Sequence, residues 1–194
     1  HGEGLVALRR NLHAHPELSG AEHATTELVE ERLRLAGLEP RRLAVGTGLV
    51  CDLVPTNPTG RFEQLFALRA DLDALAMTDD KDVSYASRHP GVAHACGHDV
   101  HTTIVLGAAL YFAHHCDQLP GPVRFMFQPA EERVPGGALD VLSDGGLDGA
   151  PFFPNATVRC AAADAEYFLG APPEEAFLAM VFRAMPARER MAPI

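Results

Sequence analysis

"HDVHTTIVLGAALYFAHH", residues 98–115, decides the fold. It is apolar nearly all round, and its length predicts a buried helix rather than a strand. Its longest apolar run, "IVLGAALYFA" from Ile104, is too short to span a bilayer. "QLFALRADLDALA" (64–76) precedes it and predicts a buried strand over 64–70, with Asp71 and Asp73 arriving as the strand ends. "GPVRFMF" follows it and predicts a strand over 122–127, running at once into "QPAEERVPGG". Strand, helix, strand is a βαβ unit, which implies neighbouring parallel strands joined by a right-handed crossover. The fold class is therefore α/β, a mixed or mostly parallel sheet flanked by helices.

The remaining elements fit around this unit. "GLVALRRNLHAH" predicts a helix ending before Pro16. "SGAEHATTELVEERLRLAGLEP" predicts a second, with Ser19 and Glu22 as a capping box, Leu28, Leu33 and Leu35 in an apolar stripe, and Gly37 and Pro40 as the stop. "LAVGTGLVCDLV" has strand character interrupted by glycines. Its G-T-G lacks the third glycine and the following helix of a nucleotide loop, so a hairpin turn is expected. "ALDVLSDG" predicts a short helix over 138–145. Residues 1–149 form the expected α/β core. Residues 150–194 form a tail of two helices, over "PNATVRCAAADAEYFLG" and "PPEEAFLAMVFRAM", packing on the same domain.

Composition sets loose bounds. The 194 residues suit one domain with a real core, and 47% hydrophobic with 22% charged residues is ordinary for a globular protein. A formal charge of −10 argues against nucleic acid or an anionic membrane surface as partner. The four cysteines (Cys51, Cys96, Cys116, Cys160) form no C-x-x-C and no dense framework, which suits a reducing cytoplasm. The chain opens on His1 without a basic and apolar leader, so a trimmed N-terminus or a fragment is expected.

In open α/β sheets, ligands bind beyond the carboxyl ends of the strands. Asp71 and Asp73 follow one strand, Glu131 and Glu132 follow the other, and "HACGHDVH" (94–101) opens the helix between them. Cys96-x-His98 alone is a weak signal, although thiolate and imidazole both suit zinc and its neighbours. Two adjacent glutamates are usually a solvated pair. Convergence of the three clusters is more specific than any one of them. Carboxylates and a thiolate sharing a partly buried cleft need a cation or shifted pKa values. With a divalent metal present, one carboxylate can coordinate while the other takes a proton from water, the arrangement for amide hydrolysis. Cysteine-protease chemistry lacks an orienting partner for Cys96. The nucleobase deaminases need H-x-E and P-C-x-x-C, which are missing.

"LRRNLHAHPELSGAEHATTELVEERLRLAGL", "ALRADLDALA", "GVAHACGHDVHTTIVLGAAL" and "VRFMFQPAEERVPGGALDVLSDGGLDG" together resemble, in order, the M20 metallopeptidase family. The closest branch is the amidohydrolases of N-acyl amino acids, hippurate and indole-acetyl amino acids. The resemblance implies Cys96 and His98 as metal ligands, with Cys96 able to bridge two metals, Glu132 as a further ligand and Glu131 as general base. It implies Asp73 as the aspartate that orients a ligand or tunes the base, with Asp71 and His101 in support. The H-x-H-P-E block of His13, His15 and Glu17 reads as mainly structural, bordering the site.

The implied cofactor is one or two divalent ions: zinc, manganese, cobalt or nickel. The implied substrate is a small N-acyl amino acid or peptide-like amide. The family's inserted lid domain, which carries its usual dimer contact, has no room in these 194 residues, and no histidine follows His115 to serve as a downstream ligand. The expectation is a metal-dependent amidohydrolase without its lid. The alternative is a truncated, catalytically impaired metal-binding remnant of such an enzyme.

Overall fold

The computed structural model describes residues 2–56 and 66–144, together with the backbone of 158–160 and 191–193. It divides into two units, 1–144 and 145–194. The first contains helices α1 (Gly2–Ala14), α2 (His23–Leu35), α3 (His98–His114) and α4 (Ala138–Asp144). Its strands are β1 (Arg41–Arg42), β2 (Leu49–Leu53), β3 (Phe66–Asp71) and β4 (Val123–Gln128). The sheet order is β1-β2-β4-β3. β1 and β2 form the expected antiparallel hairpin, β2 runs antiparallel to β4, and β3 runs parallel to β4. The sheet is mixed, and β3–α3–β4 is the βαβ unit read from the sequence.

Alternation along the strands explains the layers, because successive side chains of a strand point to opposite faces. Leu49, Cys51 and Leu53 of β2 and Val123, Phe125 and Phe127 of β4 join the main core with α1, α2 and α3. Val50 and Met126, on the opposite face, pack with Leu43 and with Val141 of α4. Phe125, Phe127 and Leu106 are fully buried, and each contributes about 1.5–3 kcal/mol of apolar burial. Leu106 lies on the sheet-facing side of α3. The opposite side exposes Val100, Ile104 and Tyr111, so α3 is buried on one face and not all round.

β3 also differs from expectation. It is an edge strand among the described residues, and its first four positions are exposed or half-buried, with Phe66 60% exposed. Continuous apolar sequence does not distinguish an edge strand from a central one. Its carboxyl end is buried, and Asp71 pairs with Gln128 at the end of β4. The chain therefore leaves both strands at the same sheet edge, which places Asp73 beside the Pro129–Glu132 turn.

α2 stops as the sequence predicts. Gly37 takes φ +81°, its N–H donates to the Arg34 carbonyl, and the Leu38 N–H donates to the Leu33 carbonyl, a Schellman ending. Its start is different. The helix begins at His23 with no side-chain cap from Glu22, and Ser19 and Glu22 form no capping box. The free N–H groups of Ala24 and Thr25 donate instead to the two carboxyl oxygens of Glu17, at 3.0 and 2.7 Å. Ser19 and Glu22 are drawn off by partners distant in sequence, described below.

In the second unit, Val158–Cys160 and Met191–Pro193 form a two-stranded parallel sheet. The first tail helix expected from the sequence is thus interrupted by a strand. The rest of that helix, the second tail helix and the expected packing of the tail lie outside the described residues. No helix among the described residues is long and apolar enough to cross a membrane.

Candidate metal centre

The centre is assembled from the two strand ends and the start of α3. Gly97, with φ +81°, precedes α3 and lets the chain turn from Cys96 into the helix. His98 is the first helical residue and is buried. Its Nδ1–H donates to the Asp73 carbonyl oxygen at 2.9 Å, with Asp73 Oδ1 at 3.3 Å. That contact fixes the ring and turns Nε2 outward. Nε2 lies 3.9 Å from a carboxylate oxygen of Glu131 and 3.9 Å from one of Glu132. These separations are too long for hydrogen bonds and leave a gap between a nitrogen donor and two oxygen donors. The ligand atoms of His98, Glu131 and Glu132 lie within 4.8 Å of one another, and Asp71, His98 and His101 form a second such group around the same histidine. Cys96 is exposed, and its thiol neighbours the Glu132 carboxylate.

The supports are buried. Asp73 is fully buried and accepts from Ser19 Oγ at 2.6 Å and from the Glu132 N–H at 2.9 Å. Burial pushes its pKa up, but the bonds from His98, Ser19 and the Glu132 and Glu131 N–H groups outweigh that and bring it down to about 2. Burial likewise pushes His98 down, and its bonds to the Asp73 side chain and carbonyl, with the charge of Asp71, carry it up to about 9. The bond to Glu132, then burial and the charges of Glu132, Glu131 and Asp73, hold Cys96 up at about 11. Burial and then the neighbouring Asp71 and Glu132 raise Glu131. Cys96 and Glu131 thus hold their protons more tightly than free groups do, beside an ionised Asp73 and an imidazolium. A cation would relieve the repulsion, and the donor set of thiol, imidazole and carboxylate suits zinc and its neighbours. The residues fit a metal.

Of the residues singled out in the sequence, Asp73, His98, Glu131 and Glu132 meet here, while Cys96 lies beside Glu132 outside the two groups of ligand atoms. Asp71 and His101 stand to one side, 3.6 Å apart, with Asp71 also paired to Arg69. The H-x-H-P-E block borders the centre. His13 is buried with Nδ1 2.6 Å from Asp99 and Nε2 3.2 Å from Asp79, tying α1 to the residue after His98. The Ala74 N–H donates to the Glu17 carbonyl at 2.8 Å, one residue beyond Asp73. His94 is also buried, with neither ring nitrogen hydrogen-bonded among the described residues; burial foremost holds it down at about 4.

Sequence reasoning missed the turn that carries the glutamates. Ala130 has φ +50°, which a residue with a Cβ rarely adopts. Its N–H donates to Glu22 Oε1 at 2.7 Å and its carbonyl accepts from the Gly137 N–H at 2.8 Å. A Cβ at Gly137 would sit 1.8 Å from the Pro129 carbonyl oxygen, so only glycine lets the chain close over the turn. The sequence signal for this was the P-G-G following Q-P-A-E-E.

Residues 67–184 match the sequence profile of Peptidase family M20/M25/M40. N-acetyl-L-cysteine deacetylase of Bacillus subtilis is 44% identical over 145 residues, 75% of this chain and 34% of that enzyme. A Rhodococcus jostii protein that bears a glutamate–cysteine ligase name is 51% identical over 145 residues, but these are only 17% of its length. Among solved structures, a dinuclear metal-binding peptidase of Bacillus subtilis from the M20 family superposes with a TM-score of 0.68 at 37% identity, over 76% of this chain and 40% of that one. The chain thus spans well under half the length of these relatives.

Proposed function

The chain belongs to the M20/M25/M40 peptidase family, and on that premise we propose that residues 1–144 carry the metal-binding and proton-transferring half of an amidohydrolase. The bond cleaved is the amide of an N-acyl amino acid or a small peptide-like substrate. One observation carries the reading. His98 Nε2, its ring fixed by the bond from Nδ1 to Asp73, stands 3.9 Å from the carboxylates of both Glu131 and Glu132.

Cys96, His98 and Glu132 would hold a divalent ion, zinc, manganese, cobalt or nickel. Such an ion polarises the substrate carbonyl and lowers the pKa of water to roughly 7. Glu131 takes the proton from the attacking water and passes it to the leaving nitrogen. Its raised pKa favours the first transfer, and its position beside Glu132 keeps it within reach of both. Asp73 holds His98 by the ring and the Glu132 backbone by its N–H, so it orients two of the three donors. Support for an N-acyl amino acid comes from the N-acetyl-L-cysteine deacetylase relative.

Glu131→Gln tests the division of labour. Hydrolysis of N-acetyl amino acids should fall at least a hundredfold, the range of general-base catalysis, while metal retention stays unchanged. Equal activity in the variant refutes the base role. A second reading rests on the donor count. Cys96, His98 and Glu132 would supply one zinc with three ligands and leave a position open, but these three are too few for two ions. If two ions are required, the chain binds metal without turnover, and metal analysis beside an activity screen separates the two readings.

A further inference from the structure

Glu22 lies on the segment between α1 and α2, far in sequence from Asp73, Cys96, His98, Glu131 and Glu132. Its side chain is fully buried, and one oxygen, Oε1, accepts both from the Gly20 N–H at 2.8 Å and from the Ala130 N–H at 2.7 Å. The other, Oε2, is buried with no hydrogen-bond partner among the described residues. A buried carboxyl group with one oxygen unsatisfied costs stability, so a purely structural account of it is poor. The bond it makes falls on the one described residue other than glycine that has a positive φ, Ala130 at +50°. Ala130 immediately precedes Glu131 and Glu132, and left-handed backbone at such a residue persists only where the surroundings enforce it.

We propose that Glu22 is a positioning residue, whose buried carboxyl group holds Ala130 in the left-handed conformation and so aims Glu131 and Glu132 at the His98 nitrogen. The proposal rests on the metal-centre reading above. Gly137 holds the same turn from its carbonyl side, so Ala130 is clamped at both backbone groups. Without Glu22 the Ala130 N–H is buried and unpaired, and the backbone gains by rotating toward negative φ. That rotation swings the following two side chains away from His98. Ser19, three residues earlier, makes the parallel contact to Asp73. The loop before α2 thus reaches both halves of the centre.

The test uses the whole chain and Co²⁺ as probe, with thiolate-to-cobalt absorption reporting Cys96 and chelator competition giving affinity. Glu22→Ala should weaken Co²⁺ binding by about ten- to a hundredfold, the usual effect of losing a group behind the ligands. Glu22→Gln, whose amide oxygen can accept both N–H groups, should stay within about threefold of the parent. Ala130→Gly, placed on Glu22→Ala, should recover part of the loss, because glycine adopts φ +50° without strain. Val29→Ala loosens the core packing of α2 and should lower the melting temperature without changing affinity. Equal affinities for Glu22→Ala and the parent overturn the proposal, as does an equal loss in Val29→Ala. Should Glu22→Ala not fold, amide exchange on the unaltered chain decides. A slowly exchanging Ala130 N–H supports the proposal, and a freely exchanging one overturns it. A parent chain that takes up no Co²⁺ removes the metal reading, and the Ala130 amide still reports whether Glu22 holds the turn.

Discussion

Loading the centre with metal should release two protons per ion at neutral pH. In the metal-free protein His98 titrates at about 9 and Cys96 at about 11, so both are protonated at pH 7. A metal bound through His98 Nε2 and the Cys96 sulfur displaces one proton from each. Two displaced protons give a logarithmic slope of two, so apparent affinity should rise about a hundredfold per pH unit between roughly pH 6.5 and 8. Above pH 9, with His98 already neutral, the slope should fall to one. Chelator competition across this range gives the slope. Calorimetry in buffers of different ionisation heat gives the proton count independently. Cys96→Ala should remove one proton and halve the slope. An unchanged count in that variant would refute the ligand role of Cys96, and a slope near zero in the parent would refute those of Cys96 and His98 together.

The metal-free chain should also lose stability as pH rises. His98 has a folded pKa of about 9 against an ordinary 6.5, so its stabilising contribution is complete below about 6.5 and is lost as pH passes through 9. Melting temperatures should fall across that window, and His98→Gln should flatten the fall. Gly137→Ala places a Cβ 1.8 Å from the Pro129 carbonyl oxygen, which is backbone and cannot step aside. The variant should lose about 1–3 kcal/mol in denaturant unfolding and bind metal more weakly, since the same turn carries the glutamates. Leu106→Ala, at a fully buried position of α3, should cost about 2–5 kcal/mol with metal affinity nearly unchanged in whatever fraction remains folded.

The βαβ unit was legible because its signals are local: a long apolar helix between two short apolar runs, each ending in carboxylates. The convergence of His98, Glu131 and Glu132 was legible for the same reason, since the crossover brings them to one edge. Ser19 and Glu22 were misread because their spacing matches a helix cap, while their partners, Asp73 and Ala130, lie 54 and 108 residues away. No local pattern carries that information. The exposure of β3 and of the outer face of α3 was hidden for a related reason. Apolar sequence reports what a segment can bury, and the order of strands in the sheet decides what it does bury. The left-handed Ala130 left no trace at its own position, because an alanine there looks like any other.

β4 is the last strand of the first unit to be synthesised, yet it is the one that β2 and β3 both require. Until residues 123–128 leave the ribosome, the β1–β2 hairpin and β3 have no common neighbour and α3 has only half a sheet to lie on. Glu131 and Glu132 follow within a few residues. Assembly of the sheet and completion of the metal-binding edge therefore fall at nearly the same point of translation. A nascent chain paused before β4 would display Cys96 and His98 without the glutamates, an open thiol–imidazole pair exposed to whatever ions and oxidants it meets.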